Sequence, residues 1–487
     1  MIKPDAATIE KLAQEYNTIP VCKEIYSDIT TPINLLRRIA QKSKRYFLLE
    51  SVEGGERWSR YSFLGFDPVM RVTCKNGVVT VEGDEPKEIV TKKPLEVVRS
   101  ILARYKAPRI EGLPPFTGGF IGYFGYAMMG YAEATLHLST GELPDCDLLL
   151  FDKVIAYDHL RQKLCIVVNM QTKNVMEGYA KAVSDIEGII RTILNNAPLP
   201  PTRADTNAVF SCNVTRMEFC DMVNKAKDYI RDGDIFQAVL SRRFTSTYRE
   251  SLLAAYRVLR TTNPSPYMVY LCIDDLEVMC SSPETLIRLQ NGRLTTFPVA
   301  GSRPRGATVE KDLQFERDLL VDEKELAEHN MLVDLARNDL GKISTFSSVS
   351  VVEYQKIHRY SKIMHITSCV EGDIRPDCDA CDAIEAILPA GTLSGAPKIR
   401  ACEIIEELER DARGIYGGAL GYLDFTGNMD TCIAIRMAVR KGDTVTVQAG
   451  AGIVADSIPD LEYEESGNKA RAVINAILSA AEVEDGF

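Results

Sequence analysis

The sequence has 487 residues, of which 45% are hydrophobic, and a formal net charge of −11 at pH 7. This length is sufficient for two domains with a large core. The negative charge argues against non-specific binding to nucleic acid or to an acidic membrane, because both are polyanions.

The sequence contains no run of about 18 uncharged apolar residues, so no membrane span is predicted. Its first residues have neither the apolar region of a signal peptide nor the arginine-rich character of a transit peptide. We therefore expect a cytoplasmic protein. The 13 cysteines are scattered through apolar stretches, which is typical of reduced core thiols. Cys378 and Cys381 have metal-like spacing, but no second pair accompanies them, so a surface turn is the favoured interpretation.

The N-terminal part is predicted to contain strands and hairpins. Residues 50–83 are rich in aromatic and β-branched side chains and are interrupted by Gly54-Gly55 and Asn76-Gly77, as in strands joined by tight turns. The clearest change of composition lies at residues 196–207, where prolines follow a helical pattern that ends near Leu194. We predict an N-terminal domain of residues 1–197, a linker of residues 198–207 and a C-terminal domain of residues 208–487.

After this linker, helical and strand patterns alternate. Thr215 and Glu218 have the spacing of a capping box, which predicts a helix that ends before Gly233. A strand is predicted over residues 235–245, and Gln237 lies on one face of it.

Two predicted helices carry paired carboxylates. Glu325 and Glu328 share a face with the apolar residues of a helix predicted over residues 324–335. Glu462 and Glu465 have the same spacing near the start of the last predicted helix. Four carboxylates from two helices could converge on a hard cation such as Mg²⁺, which would assist the binding of an anionic substrate. The alternative is that these carboxylates lie on solvated acidic helix faces, and the spacing alone slightly favours this alternative.

Three glycine-rich segments offer backbone amides to an anion, and each is predicted to be a turn. They cover residues 389–398, 298–306 and 448–455. The first precedes a helical pattern, where free amides would attract a carboxylate. The third matches a dinucleotide-binding pattern, but a strand pattern continues through it before the next helix, so no dinucleotide site is expected. Each segment taken alone is most often only a turn.

Glu284 and His365 are candidates for proton transfer. Glu284 follows an apolar strand pattern, so it is either a carboxyl group with a raised pKa or a turn residue. His365 lies in a strand-like apolar stretch, where a hydrogen-bonded core histidine is the default and a proton-transfer role requires a neighbouring substrate. Periodicity does not decide between these alternatives.

Ten ordered segments between about Thr215 and Ala480 resemble the chorismate-utilising enzymes. They are IFQAVLS (235–241), SPE (282–284), PVAGSR (298–303), ELAEH (325–329), MH (364–365), GTLSGAPK (391–398), YGG (416–418), IAIR (433–436), QAGAG (448–452) and ESGNKA (465–470). Agreement over ten ordered segments is highly specific. LLES (48–51) and FTGGFIGYFGY (116–126) resemble the anthranilate synthases among these enzymes, so the resemblance covers nearly the whole chain.

This resemblance implies an α+β fold with large antiparallel sheets flanked by helices and two interlocked domains, with the active site in a cleft. The alternating pattern after the linker agrees with this class rather than with a parallel sheet. The implied activity is Mg²⁺-dependent amination of chorismate at C2 by ammonia, followed by loss of pyruvate to give anthranilate.

The resemblance also implies roles for single residues. Glu284 would protonate the departing 4-hydroxyl group, and His365 would remove the C2 proton. The implied magnesium ligands, direct or through water, are Glu325, Glu328, Glu462 and Glu465. The implied substrate contacts are Tyr416, Arg436, Gly450, Gly452, Lys469, Gly301 and Ser302, and Thr392 and Gln237 complete the catalytic set.

Two positions distinguish members of this family, and a third departs from its usual pattern. Gln237 stands where isochorismate and salicylate synthases carry a water-activating lysine, and ammonia needs no such base because its lone pair is already nucleophilic. Ala300 stands where aminodeoxychorismate synthases usually carry a lysine, which favours amination at C2. Ser302 replaces the usual threonine and keeps the hydroxyl group, so we expect activity to survive.

The chain has no glutaminase-like Gly-x-Cys-x-Gly elbow, so ammonia must come from solution or from a partner glutamine amidotransferase subunit. An aminodeoxychorismate synthase and a non-catalytic regulatory homologue are the alternative functions. The presence of Glu284, His365 and the four carboxylates argues against the second.

Two segments resemble the site at which L-tryptophan inhibits feedback-controlled anthranilate synthases. They combine an apolar slot for an indole ring with polar groups for the ammonium and carboxylate. The residues of this predicted site are Glu50, Ser51, Asn263, Pro264, Ser265, Pro266, Tyr267 and Met268. On the physical properties of these residues alone, an ordinary contact between domains would be preferred.

Overall fold

The computed structural model describes residues 2–51, 60–205, 207–359 and 363–483. These residues form two large antiparallel sheets flanked by helices, which confirms the predicted α+β class. None of the described helices is long and apolar enough to cross a membrane.

The strands before the predicted linker are β1 (Ile2–Lys3), β2 (Thr18–Tyr26), β3 (Arg45–Glu50), β4 (Tyr61–Phe66), β5 (Met70–Lys75), β6 (Val78–Glu82), β7 (Lys87–Val90), β8 (Gly119–Phe124), β9 (Cys146–Phe151), β10 (Lys153–Asp158) and β11 (Lys163–Gln171). The strands after it are β12 (Ser211–Cys212), β13 (Gln237–Thr247), β14 (Tyr267–Ile273), β15 (Leu276–Ser282), β16 (Thr285–Gln290), β17 (Arg293–Thr296), β18 (Val299–Pro304), β19 (Ser350–Arg359), β20 (Ile363–Asp373), β21 (Gly395–Ala396), β22 (Ala419–Asp424), β23 (Met429–Ile433), β24 (Met437–Lys441) and β25 (Thr444–Ile453).

The α-helices of the described residues are α1 (Ala6–Leu12), α2 (Pro32–Ala40), α3 (Pro94–Leu102), α4 (Met129–Ala132), α5 (Val175–Ile193), α6 (Arg216–Arg231), α7 (Leu253–Thr262), α8 (Val309–Leu320), α9 (Glu323–Gly341), α10 (Ala380–Ile387), α11 (Lys398–Leu408) and α12 (Pro459–Leu478). Short 3₁₀ turns span Tyr126–Met128, Gly391–Leu393 and Ser479–Val483.

Both sheets contain strands from each side of the predicted linker. The first sheet has the order β1-β2-β11-β10-β4-β3-β14-β15-β24-β25-β13-β12, with β21 also paired to β13. The second has the order β18-β20-β17-β16-β23-β22-β8-β9-β5-β6-β7, with β19 also paired to β20. The N-terminal and C-terminal parts are therefore interlocked through both sheets, and the exact domain boundary stays a prediction.

The two sheets pack face to face, with helices on their outer faces. Phe47 of the first sheet and Leu420 of the second belong to a buried cluster between the sheets. The next residue of β3, Leu48, packs with α2, α5, α7 and α12 on the opposite face, because side chains alternate along a strand. Each fully buried Leu or Phe side chain contributes about 1.5 to 3 kcal/mol to folding.

The capping box begins α6 as the sequence predicts. Glu218 donates its backbone N–H to Thr215 Oγ1 at 3.3 Å, and Glu218 Oε2 accepts the Thr215 backbone N–H at 2.8 Å. The helix ends before Gly233, which has a φ of 85°, a conformation that glycine adopts without strain.

The hairpin turn at Asn76 and Gly77 is also confirmed. These residues join β5 to β6 and have φ values of 50° and 76°, as a tight hairpin turn requires. The second predicted turn, Gly54-Gly55, lies outside the described residues.

Two of the three predicted glycine-rich turns are wrong, because residues 299–304 and 444–453 are the strands β18 and β25. Gly301 has a φ of 68° at an irregularity in the pairing of β18 with β20, where glycine accommodates a bulge. A Cβ atom at Gly450 would lie 2.6 Å from the carbonyl oxygen of Leu240 on the neighbouring strand. These glycines therefore allow a bulge and a close approach inside strands.

Candidate active site

Helices α9 and α12 place the two predicted carboxylate pairs in one region, which we call the acidic cluster (Glu325, Glu328, Glu462 and Glu465). Burial, followed by the charges of Glu325 and also Glu465, raises the pKa of Glu328. Burial and the charge of Glu465 raise the pKa of Glu462. Because Glu465 of α12 acts on Glu328 of α9, the structure brings the two pairs together.

Two cationic side chains pair with the acidic cluster. Lys469 Nζ lies 2.7 Å from Glu465 Oε1, and Arg303 Nη1 lies 3.2 Å from Glu325 Oε1. In this conformation, no group of three or more His, Cys, Asp and Glu side chains within the described ranges is arranged to hold a metal ion. The magnesium site therefore stays a prediction.

Glu284 connects β15 to β16 and is close to two cationic residues. Thr392 Oγ1 donates a hydrogen bond of 3.1 Å to Glu284 Oε1. Burial raises the pKa of Glu284 to about 7, against the lowering effects of Thr392, Arg436 and Lys469. A carboxyl group with this pKa is partly protonated near neutral pH and is suited to general acid catalysis.

His365 lies in β20 opposite Ser302 of β18. Its Nδ1 is 3.0 Å from the carbonyl oxygen of Gly301. Because a carbonyl oxygen only accepts hydrogen bonds, Nδ1 carries the proton and the lone pair of the neutral ring is at Nε2. Burial lowers the pKa of His365, with a smaller contribution from Arg436, so the ring is suited to act as a neutral base. Ser302 itself is exposed.

Gln237, the first residue of β13, lies against Gly452 of β25. A Cβ atom at Gly452 would be 2.5 Å from Gln237 Nε2, so glycine is needed to leave room for the amide. Gln237 is 5% exposed, and within the described part of the chain its Oε1 has no hydrogen-bond partner. A buried acceptor of this kind indicates a position for a donor on a bound molecule or water.

Lys469 is also close to β25, because its Nζ donates a hydrogen bond of 3.3 Å to the Gly450 carbonyl of that strand.

Arg436 acts electrostatically on both the candidate acid and the candidate base. It lowers the pKa of both Glu284 and His365, so its guanidinium group is near both. Its φ of 49° is uncommon for a residue other than glycine.

Tyr416 is 5% exposed, and burial raises the pKa of its phenol, which keeps it a neutral hydrogen-bond donor. The structure thus brings most of the predicted catalytic and substrate residues into one region.

A cavity of about 100 Å³ lies beside the pairing of β3 with β14. Met268 is the cross-strand partner of Glu50, so the two segments of the predicted tryptophan site meet. The residues of this prediction that line the cavity are Glu50, Ser51, Pro266, Tyr267 and Met268. Arg288, Tyr422 and Asp430 line it as well.

Asn263, Pro264 and Ser265 are not among the residues that line this cavity. Ser281 Oγ donates to the Asn263 carbonyl at 2.5 Å and lies 2.9 Å from Ser265 Oγ. Asn263 and Ser265 therefore form hydrogen bonds with β15. The carboxylate of Glu50 is already paired, because Arg260 Nε donates to it at 2.8 Å.

Comparison with known proteins decides the family. A family model described as chorismate binding enzyme matches residues 44–475. Anthranilate synthase component 1 of Acetivibrio thermocellus is 46% identical over 494 residues, covering 99% of this chain and 100% of the relative. The protein of the same name from Aquifex aeolicus is 44% identical, covering 98% of each chain. The chain belongs to the chorismate-binding enzyme family.

Solved structures agree with this assignment. Anthranilate synthase component I from Streptococcus pneumoniae TIGR4 has a TM-score of 0.78 and 36% identity, covering 92% of this chain and 98% of that chain. The menaquinone-specific isochorismate synthase MenF from Escherichia coli has a TM-score of 0.71 at 19% identity, covering 97% of this chain and 100% of that one, which shows a shared fold alone. Within the chorismate-binding enzymes, this chain is an enzyme of the anthranilate synthase component 1 group.

Two ion pairs near the candidate site were not predicted from the sequence. Lys398, the last residue of the glycine-rich segment and the first of α11, donates to Asp339 Oδ2 of α9 at 2.7 Å. A buried ion pair of Glu409 and Arg413 lies behind Thr392. Glu409 and Arg413 are opposite charges four residues apart, a spacing that can indicate an ion pair.

Proposed function

We propose that this chain catalyses the Mg²⁺-dependent conversion of chorismate and ammonia to anthranilate, pyruvate and water. The observation that carries this proposal is that Glu284 and His365 both lie within the electrostatic influence of Arg436 and have pKa values shifted in opposite directions. Two groups whose environments shift their pKa values in this way are suited to divide the acid and base roles of one reaction.

Glu284 is the acid of the first step. Ammonia adds to C2, the two ring double bonds shift, and the bond from C4 to its hydroxyl oxygen breaks. Glu284 gives its proton to this oxygen, which leaves as water, and the proton released by the added nitrogen restores Glu284. The hydrogen bond from Thr392 holds the carboxyl group in place during the transfer.

His365 is the base of the second step. Its Nε2 takes the C2 proton, and the electron pair of that bond completes the aromatic ring as the bond from C3 to the pyruvyl oxygen breaks. Pyruvate leaves as its enolate and takes up a proton, which returns the imidazole to its neutral form. Arg436, Tyr416 and the Gly452 amide bind the pyruvyl carboxylate in this proposal.

The acidic cluster suits Mg²⁺ as the cofactor. Its four members offer the oxygen ligands that Mg²⁺ prefers. Burial, together with neighbouring carboxylates, raises the pKa values of Glu328 and Glu462, and a bound cation would offset both effects. When bound, Mg²⁺ supplies positive charge that holds the ring carboxylate of chorismate.

Gln237 supports ammonia as the nucleophile. Its buried Oε1 has no partner among the described residues and is an acceptor for an N–H of ammonia. The amide has no basic site to activate water. Ammonia is supplied by solution or by a partner glutamine amidotransferase subunit, because the chain carries no glutaminase elbow.

The acid role of Glu284 predicts a pH dependence. Activity requires the protonated form of Glu284, whose pKa is about 7. The rate is therefore highest below this pH and falls as pH rises through it, which gives the pH profile an alkaline limb. The measurement is anthranilate formation at saturating chorismate and a fixed concentration of unprotonated ammonia. In Glu284→Gln the rate falls by about a hundredfold or more and this limb disappears.

The matched control for this prediction is Asp424→Asn. Burial raises the pKa of Asp424 to about 6, but the residue lies at a turn where its carboxylate accepts from Thr426 and Asn428. This variant keeps the alkaline limb. An alkaline limb that persists unchanged in Glu284→Gln contradicts the assignment of the acid.

We further propose that L-tryptophan inhibits the enzyme from the cavity beside β3 and β14. The cavity is lined by Met268 and Tyr267 together with the acidic residues Glu50 and Asp430, so it combines apolar surface with polar groups, as an amino acid with an indole ring requires. The segments that line it come from both sides of the linker, so bound tryptophan can favour one arrangement of them. A coupling of about 1 to 3 kcal/mol to chorismate binding is typical of such regulation.

Ser51→Phe is expected to fill this cavity. The tryptophan concentration that halves activity should rise by about tenfold or more, while turnover without tryptophan stays nearly unchanged. Calorimetric titration with tryptophan, with and without chorismate and Mg²⁺, measures the reciprocal weakening that linkage requires. Equal tryptophan sensitivity in Ser51→Phe and the unmodified protein would place the regulatory site elsewhere.

A further inference from the structure

A buried ion pair lies at the end of α11, outside the catalytic set described above. The side chain of Arg413 is 2% exposed and that of Glu409 is 7% exposed. Arg413 Nε donates to Glu409 Oε2 at 2.9 Å, and Nη2 donates to Oε1 at 2.6 Å. This two-point contact fixes the orientation of the guanidinium plane.

The outer donors of Arg413 reach two backbone carbonyls. Nη1 donates to the Leu393 carbonyl at 2.5 Å, and Nη2 donates to the Val239 carbonyl at 2.6 Å. Leu393 directly follows Thr392, whose hydroxyl donates to Glu284. One guanidinium group therefore holds the backbone beside the hydroxyl that contacts the proposed acid.

Glu409 extends this connection to the strands of the first sheet. Its Oε1 accepts the backbone N–H of Ser241 at 2.7 Å and the Ser241 hydroxyl at 3.0 Å. Gln448 Nε2 of β25 donates to the same hydroxyl at 2.8 Å. The Val239 N–H also donates to the Ser394 carbonyl at 2.9 Å. The segment that carries Thr392 is thus fixed to β13 from several directions.

Arg413 also contacts two aromatic rings. Its guanidinium carbon lies 4.6 Å from the centre of the Tyr126 ring and 5.8 Å from that of Tyr416. Both distances suit attraction between a cation and an aromatic ring. The same residue thus lies against Tyr416, a predicted substrate contact.

Stability alone is a weak reason for such a pair. The cost of removing both charges from water roughly offsets their attraction. Replacing a buried ion pair with well-packed apolar residues often leaves the folded protein equally stable or more stable. A planar guanidinium, however, holds several acceptors at fixed angles, which apolar side chains do not do.

We propose that Arg413, oriented by Glu409, is a positioning residue that holds Thr392 so that its hydroxyl keeps Glu284 in place. The inference rests on the proposed function, because it takes Glu284 as the acid. Arg413 acts through the Leu393 carbonyl and not by contact with the reacting atoms.

The test compares Arg413→Lys with the unmodified enzyme. An ammonium group keeps the charge but does not reach both carbonyls and Glu409 with the geometry of the guanidinium. We expect kcat to fall by about tenfold. We expect KM for chorismate to change by less than about twofold, because the loss affects the acid rather than substrate binding.

A second readout follows the titration of Glu284 without turnover. The carboxyl band is measured by infrared difference between each protein and the same protein carrying Glu284→Gln. Thr392, Arg436 and Lys469 each lower the pKa of Glu284, so a weakened Thr392 bond moves the titration to higher pH in Arg413→Lys. Thr392→Val moves it in the same direction. The double variant shows no further movement if Arg413 acts through Thr392.

Arg440→Lys is the matched control. Arg440 pairs with Glu277 through Nε at 3.2 Å and is also partly buried, but it bridges β24 and β15 away from Thr392. This variant is expected to lower the melting temperature without moving the titration of Glu284. If Arg413→Lys does not fold, Glu409→Gln, which keeps the side-chain shape and removes its charge, is expected to give a smaller shift in the same direction.

The outcomes separate this inference from the proposed function. If Glu284→Gln keeps full activity, the proposed acid is wrong. If Glu284→Gln is inactive but the Glu284 titration is unchanged in Arg413→Lys, or in Glu409→Gln where that is the folded variant, only the positioning role is overturned. Additive shifts in the double variant also overturn it.

Discussion

Glu328→Gln is expected to lower the rate of anthranilate formation by about a thousandfold or more, and Glu465→Gln is expected to do the same. A bound metal ion stabilises a charged transition state by several kcal/mol, and each tenfold in rate corresponds to about 1.4 kcal/mol. Each variant removes one negative charge from the acidic cluster and leaves the shape of the side chain.

Thermal unfolding separates a lost metal site from a damaged fold. Burial and neighbouring carboxylates raise the pKa of Glu328, so its charged form destabilises the metal-free protein increasingly as pH rises above the ordinary glutamate range. Metal-free Glu328→Gln should therefore be at least as stable as the unmodified protein at pH 8. Added Mg²⁺ should raise the melting temperature of the unmodified protein more than that of the variant.

Glu464→Gln is the matched control on the same helix. Glu464 is half exposed and pairs with Arg216 at 2.9 Å, so it lies outside the acidic cluster. Its activity and its response to Mg²⁺ should match those of the unmodified protein. Full activity in both Glu328→Gln and Glu465→Gln would reject the magnesium site.

His365→Ala should slow pyruvate loss by about a hundredfold to ten-thousandfold, the usual contribution of a general base. The first step does not require this base, so the aminated intermediate that still carries the pyruvyl group should accumulate. Chromatography of quenched reaction mixtures measures the intermediate and anthranilate together.

The exposed His137 provides the control for this experiment. His137→Ala should form anthranilate at the unmodified rate and accumulate no intermediate. Unchanged anthranilate formation by His365→Ala would show that another group removes the C2 proton.

Local patterns predicted much of the fold and the candidate site. The capping box of Thr215 and Glu218 predicted α6 because its contacts lie within four residues. The helical spacing of Glu325 and Glu328 likewise predicted that both lie on one side of α9. Family resemblance then supplied what spacing left open, namely that the carboxylates of α9 and α12 belong to one site.

Other features depend on contacts between distant parts of the chain. The pairing of Glu50 with Met268 joins strands more than 200 residues apart, and no local pattern specifies such a register. Gly301 and Gly450 were predicted to be in turns, because glycine occurs both in turns and where a neighbouring backbone approaches closely. Only the neighbouring strand distinguishes the two cases.

The central claim is tested most directly by giving the purified chain chorismate, Mg²⁺ and ammonium at a pH where some ammonia is unprotonated, and following anthranilate by its fluorescence. We predict anthranilate and pyruvate in equal amounts with ammonium. With glutamine as the nitrogen source, we predict none until a glutamine amidotransferase subunit is added. A product aminated at C4, or no anthranilate with ammonium and Mg²⁺ present, would contradict the proposed function.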